Sequence, residues 1–179
     1  NKYFILIGII IIILLGIYMA KPKHVASDID FKTNLEENKD AYFDHINSNM
    51  VSGGPGKDDI PAIDEPTYIT ATEADNILSD ESIVFGVACN GIVKAYPQNI
   101  LYHHEIVNEN FGDEAIAVTY CPLTGSVIGF KDKNLGVSGK LYNSNLVLYD
   151  RATDSEIPQI LTIATNGTLQ NERLNQIPI

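Results

Sequence analysis

Ile83-Val84-Phe85-Gly86-Val87-Ala88-Cys89-Asn90-Gly91-Ile92-Val93-Lys94-Ala95-Tyr96 decides how the rest of this 179-residue chain is read. Residues 83–89 are all apolar or glycine, rich in β-branched and aromatic side chains, and read as a strand. Asn90-Gly91 is the pair favoured in a type I′ turn, because both residues tolerate positive φ. Residues 92–96 then return as the partner strand. Downstream, Pro97 opens a short helical turn through Leu101, residues 104–108 are extended and residues 110–114 turn. Strands are expected at 115–120, 127–130, 135–141, 146–150 and 161–165, with breaks at Cys121-Pro122-Leu123-Thr124-Gly125-Ser126 and at 131–134. Turns roughly every ten residues suit a sandwich or barrel better than a βαβ fold. The expected class is mainly β, sandwich- or barrel-like, with a few short helices.

Upstream of the hairpin, residues 70–78 read as a short helix with Thr70 or Thr72 as N-cap and Glu73 in its first turn. Residues 60–66 carry Pro61 and Pro66 and are extended chain. Ser52-Gly53-Gly54-Pro55-Gly56-Lys57-Asp58-Asp59 is a loop that packs against the sheet. It lacks the spacing of a phosphate loop. Residues 22–50 form a polar stalk, in which residues 28–44 read as a solvated connector or a short polar helix, with Phe43, Ile46 and Met50 docking it weakly on the domain. Residues 3–20 are uncharged, with Lys2 before them and Lys21 and Lys23 after. As a helix that run spans about 27 Å, enough for one N-terminal transmembrane helix contacting membrane lipid. The run is too long, and lacks the cleavage site, for a signal peptide.

The expected organisation is therefore an anchor at 1–21, a stalk at 22–50 and an extracytoplasmic β-rich domain at 51–179. That domain is expected to continue past Ile179. With 23 acidic against 12 basic residues the net charge is −11, which argues against nucleic-acid binding. Lysines on both sides of the anchor leave its orientation open. The acidity and the Asn166-Gly167-Thr168 glycosylation sequon favour the external face of a cell membrane. Cys89 and Cys121 allow one disulfide and no disulfide framework.

Four ordered blocks are similar to the bacterial and archaeal family called domain of unknown function 3179. They are Ser52-Gly53-Gly54-Pro55-Gly56-Lys57-Asp58-Asp59-Ile60-Pro61-Ala62-Ile63; Ala95-Tyr96-Pro97 with His104-Glu105-Ile106-Val107-Asn108; Val118-Thr119-Tyr120-Cys121-Pro122-Leu123-Thr124-Gly125-Ser126; and the run from Gly136 through Tyr142-Asn143-Ser144-Asn145 to Asp150-Arg151. The resemblance implies a membrane-tethered or exported protein. It also implies two departures: relatives carry a second cysteine where this chain has Thr124, and a tryptophan near Ile157, whereas this chain has no tryptophan.

Cys121, at a strand end beside a turn, is placed to meet free backbone N–H groups that would expose it and lower its pKa. Its bland alternative is a buried small hydrophobe. Thiolate and imidazole together favour copper or zinc, so Cys121 and His104 form a candidate metal site. If their segment is extended, His103 and His104 face opposite ways. The resemblance selects His104. The same pair would serve a thiol-dependent enzyme, with Glu105, Asn108 or Asn143 orienting the ring. In block four, Asn143-Ser144-Asn145 is a turn needing αL-tolerant residues, Asp150–Arg151 reads as an ion pair, and Lys140, Tyr142 and Arg151 are open to a pocket role. The leading expectation is a tethered binding or accessory module, copper-binding and assembled with other membrane-complex subunits. The alternatives are the thiol enzyme and a structural surface protein.

Overall fold

The computed structural model describes residues 38–131 and 134–179. The expected transmembrane anchor lies outside the described residues, as does nearly all of one unit, Asn1–Lys39. The other unit, Asp40–Ile179, is mainly β with three short helices.

The hairpin forms as its sequence dictates. β3 (Val84–Cys89) and β4 (Ile92–Pro97) pair antiparallel, and Asn90 and Gly91 take φ of 50° and 74°, the two positive values a type I′ turn requires. Helix α3 (Gln98–His104) follows directly and ends on Glu105 in the left-handed conformation. The helix runs three residues further than expected, so His103 and His104 are both helical rather than alternating along a strand.

β5 (Ile106–Phe111), β6 (Glu114–Cys121) and β7 (Ser126–Lys131) make an antiparallel meander. β2 (Ile63–Asp64) adds to β5 in parallel, and β11 (Gln176–Ile177) closes the other edge against β7. The second sheet is β1 (Val51–Ser52), β8 (Leu135–Tyr142), β9 (Asn145–Asp150) and β10 (Glu156–Pro158), in the order β1-β8-β9-β10.

The central strand β6 has both faces buried, which explains its nearly continuous apolar sequence. Ala117 and Cys121 join Leu135, Val137, Leu146, Leu148 and Ile157 of the second sheet in one core. Ile116, Val118 and Tyr120, on the opposite face, join Val87 and Tyr96 of the hairpin and Leu101 of α3 in another. The period-two alternation of a strand thus serves two cores at once.

The glycine loop rests on β8 through Gly53 N–H to the Gly139 carbonyl (2.8 Å) and Asp58 N–H to the Val137 carbonyl (3.0 Å). Gly139 lies at φ +77° in an irregularity of β8, and a Cβ there would stand 2.5 Å from the Pro55 carbonyl. Only glycine satisfies both demands. Helix α2 (Ala71–Ala74) is shorter than the expected 70–78; of the two threonines Thr70 is the N-cap, with a full capping box to Glu73 in the first turn.

Three expectations are corrected. The end of the stalk docks firmly rather than weakly: it forms helix α1 (Lys39–Ser48), whose Phe43 and Ile46, three residues apart on one face, are 2% and 0% exposed. Asn47 adds a bond to the Thr165 carbonyl at 2.9 Å. Residues 161–165 form no strand: Thr162 has a positive φ, and an isolated bridge joins Ile163 to Arg173. Asp150 does not pair with Arg151 but accepts from the Thr153 N–H and hydroxyl (3.0 and 2.7 Å), leaving the arginine for another carboxylate.

Candidate functional site

The blocks carrying Cys121, His104 and Glu105 meet at one end of the β5-β6-β7 sheet. Tyr120 N–H donates to the Glu105 carbonyl at 2.7 Å, setting the end of α3 beside the end of β6. Cys121 Sγ accepts the Leu146 N–H at 3.3 Å and lies 4.0 Å from the Ser144 carbonyl. The N–H that meets the sulfur comes from β9 and not from the turn after β6. The thiol is not exposed: Cys121 is 1% accessible, because β9 covers it. Both cysteines are free.

The His104 ring donates from Nδ1 to the Pro61 carbonyl at 2.8 Å; a carbonyl only accepts, so the proton sits on Nδ1. No hydrogen bond joins His104 to Cys121, and among the described residues no group of three His, Cys, Asp or Glu is placed to hold a metal ion. The described donors thus do not compose a copper or zinc site. Nor do the expected orienting residues converge on the imidazole. Asn108 is spent on Asp64 and on Leu135, and Asn143 occupies its turn at φ 48°, with Ser144 at 61°. Thr124, where the resemblance expects a cysteine, accepts from the Asn145 amide at 3.0 Å beside Ser126 and the fully buried Gln159. That network is internally satisfied and positions the loop 121–126.

Glu105 is the exception at this end. It holds φ 59°, its carboxyl has no hydrogen-bond partner among the described residues, and burial pushes its pKa up to about 7. Asn166, the sequon residue, uses its amide on Glu156: Nδ2 donates to the carboxylate at 2.8 Å and Oδ1 accepts the Glu156 N–H at 2.9 Å.

A polar cleft of about 370 Å³ opens at the other end of the sheet. Asp64, Glu65, Asn108, Glu109, Asn110, Ala115, Asn134 and Arg151 line it. β2 brings Asp64, β5 brings the 108–110 run, and the end of β9 brings Arg151. Arg151 Nη1 donates to both Asp64 carboxylate oxygens (2.8 and 2.9 Å) and to Asn134 (3.1 Å). Asn108 is clamped: Nδ2 donates to Asp64 and to the Leu135 carbonyl, both at 2.9 Å, and Oδ1 accepts the Leu135 N–H at 2.9 Å.

Glu109 is 7% exposed and takes Tyr68, Tyr96 and Lys94 as partners. Burial, then the hydrogen bond to Glu109, raises the pKa of both phenols, so both stay protonated donors. Of the block-four candidates, the structure brings Arg151 to a cleft. Asp64, Asn134 and Glu109 were missed: no spacing links them, and their approach depends on the pairing of β2 with β5. The one legible signal was the polar run Asn108-Glu109-Asn110 between Val107 and Phe111 of β5, an interruption in a strand that otherwise reads as core.

A β-rich domain, with one sheet buried on both faces and a polar cleft at its strand ends, is the class these features define. Residues 57–179 match the family model described as protein of unknown function (DUF3179), and the chain belongs to that family. No curated protein and no solved structure matches it.

Proposed function

We propose that this chain is a membrane-tethered binding module that holds a small polar, uncharged or zwitterionic ligand in the cleft at Arg151. The observation that carries the reading is the lining of that cleft. Amides, carboxylates and one guanidinium from separate elements are held in place by bonds to the fold, the preorganisation that lowers the cost of binding. Lys94 neutralises Glu109, and Asp64 and Glu65 outweigh Arg151, so an anion is disfavoured. The Asn110 carbonyl accepts from Lys94 at 3.4 Å, but its side-chain amide has no hydrogen-bond partner among the described residues and is available to a ligand, as is the Asn134 amide nitrogen.

The thiol-enzyme reading has less support, since Cys121 is enclosed and has no bond to His104.

Thermal denaturation of the full chain in nanodiscs, with millimolar mono- and disaccharides in one series and amino acids in another, tests the proposal. A ligand at a hundredfold its Kd adds about 2.7 kcal/mol of stability. One series should raise the Tm of the wild type and leave Arg151→Gln and Asn110→Ala unmoved. No shift with either series, or an equal shift in both variants, would overturn the reading.

A further inference from the structure

We infer that the outer face of the β3-β4 hairpin is a lipid-contact surface, an inference that rests on the tether reading. The hairpin is inverted in polarity. Val84, Gly86 and Ala88 of β3 and Val93 and Ala95 of β4 point outward, alternating with the more buried positions between them. The register sets Gly86 against Ala95 and Ala88 against Val93, so these residues form one continuous patch. Val84 and Val93 are 45% and 76% exposed, and Ile83, just before β3, is 54% exposed.

No outward position bears a charge or a hydrogen-bonding side chain. The hairpin's one charged residue, Lys94, turns inward to Glu109 and lies over the rings of Tyr68 and Phe111. A solvated hairpin would place its lysine outside and its valines inside. Among the described residues neither strand pairs with any strand but the other.

The occupant follows from size and reach. Six residues per strand, at about 3.3 Å each, and two strands about 4.8 Å apart give a face of roughly 200 Å². A specific protein interface needs about 800 Å² per partner, so a second copy of this chain is poorly served by it. A bilayer needs no shape complementarity, and a tether supplies high effective concentration to a weak contact. Eighteen residues, 21–38, separate the apolar run from α1, and span at most about 60 Å. The domain of 140 residues is about 37 Å across, so the hairpin can reach the surface of the bilayer. The net charge of −11 disfavours anionic lipid, and an uncharged face suits a zwitterionic one.

The absence of tryptophan from the chain makes a single-tryptophan reporter possible. Val93→Trp and, across the register, Ala88→Trp would be placed in the full chain and reconstituted into phosphatidylcholine vesicles with or without chain-brominated lipid. Ala152→Trp, in the exposed turn after β9, is the control. Blue-shifted emission that is lost with brominated lipid in both hairpin reporters, but not in the control, is the expected result. Emission typical of an exposed indole, in protein that still floats with the vesicles, overturns the inference and leaves the tether standing. A blue shift without quenching also overturns it, in favour of a protein-covered face. Failure of the chain to float with the vesicles overturns the tether and the inference together.

Discussion

Cys121 has its hydrogen bonds inside the fold, whereas the carboxyl of Glu105, whose carbonyl accepts from the adjacent Tyr120, has none among the described residues. The two residues therefore respond differently to solvent. A thiol at 1% exposure reacts only when the structure opens, so Cys121 should be labelled by an aromatic disulfide reagent at the rate of unfolding, and Cys89 sooner. Elemental mass spectrometry of wild type, Cys121→Ser and His104→Ala should find no stoichiometric copper or zinc that depends on either residue. Metal near one equivalent, lost in both variants, would restore the thiolate–imidazole site. Glu105 titrates near 7 in the folded chain, above its ordinary value of 4.5, because burial disfavours the anion. The folded state thus holds more protons between those values, and stability falls as pH rises through that window. Below it the carboxyl is neutral in both states and costs nothing. After allowance for solvent screening, Glu105→Gln should stabilise the protein by on the order of 1 kcal/mol at pH 8 and by almost nothing at pH 4. Urea melts at the two pH values would check the sign.

The hairpin and strand β5 are held together by Glu109, which reaches Lys94 and Tyr96 on β4 and Tyr68 in the segment before it. Its side chain is 3% exposed and that of Lys94 20%. Removing one partner of a buried pair leaves an uncompensated charge, at about 3 to 5 kcal/mol. Glu109→Ala should cost about that much in chemical denaturation. Glu109→Gln, which keeps an acceptor for one phenol, should cost less. Equal small losses in both would show that the cluster is not what binds the hairpin to the sheet. The same side chain lines the cleft, so the Ala variant should also deform the Asn110 side of the proposed binding site.

Across the whole molecule, α1 belongs to the domain rather than to a stalk. Phe43→Ala should cost about 3 kcal/mol as a core truncation, and Tyr42→Ala, on a residue 41% exposed, should stay within about 0.5 kcal/mol. A chain beginning at Val51 should melt lower than one beginning at Asn38, measured side by side.

Local physics settled much of this before any tertiary contact: the Asn90-Gly91 turn, the strands on either side of it, a threonine cap at 70 or 72, the αL turn at Asn143-Ser144 and the mainly β class follow from dihedral preference, capping chemistry and period-two alternation. The four sequence blocks likewise sufficed for the family. Tertiary structure alone decided which polar residues share a site. Arg151 finds Asp64, 87 positions away, because β2 pairs with β5 and the end of β9 reaches them. Cys121 is silent because β9 closes over it. Burial and long-range pairing are properties of the assembled layers, and no spacing along the chain encodes them.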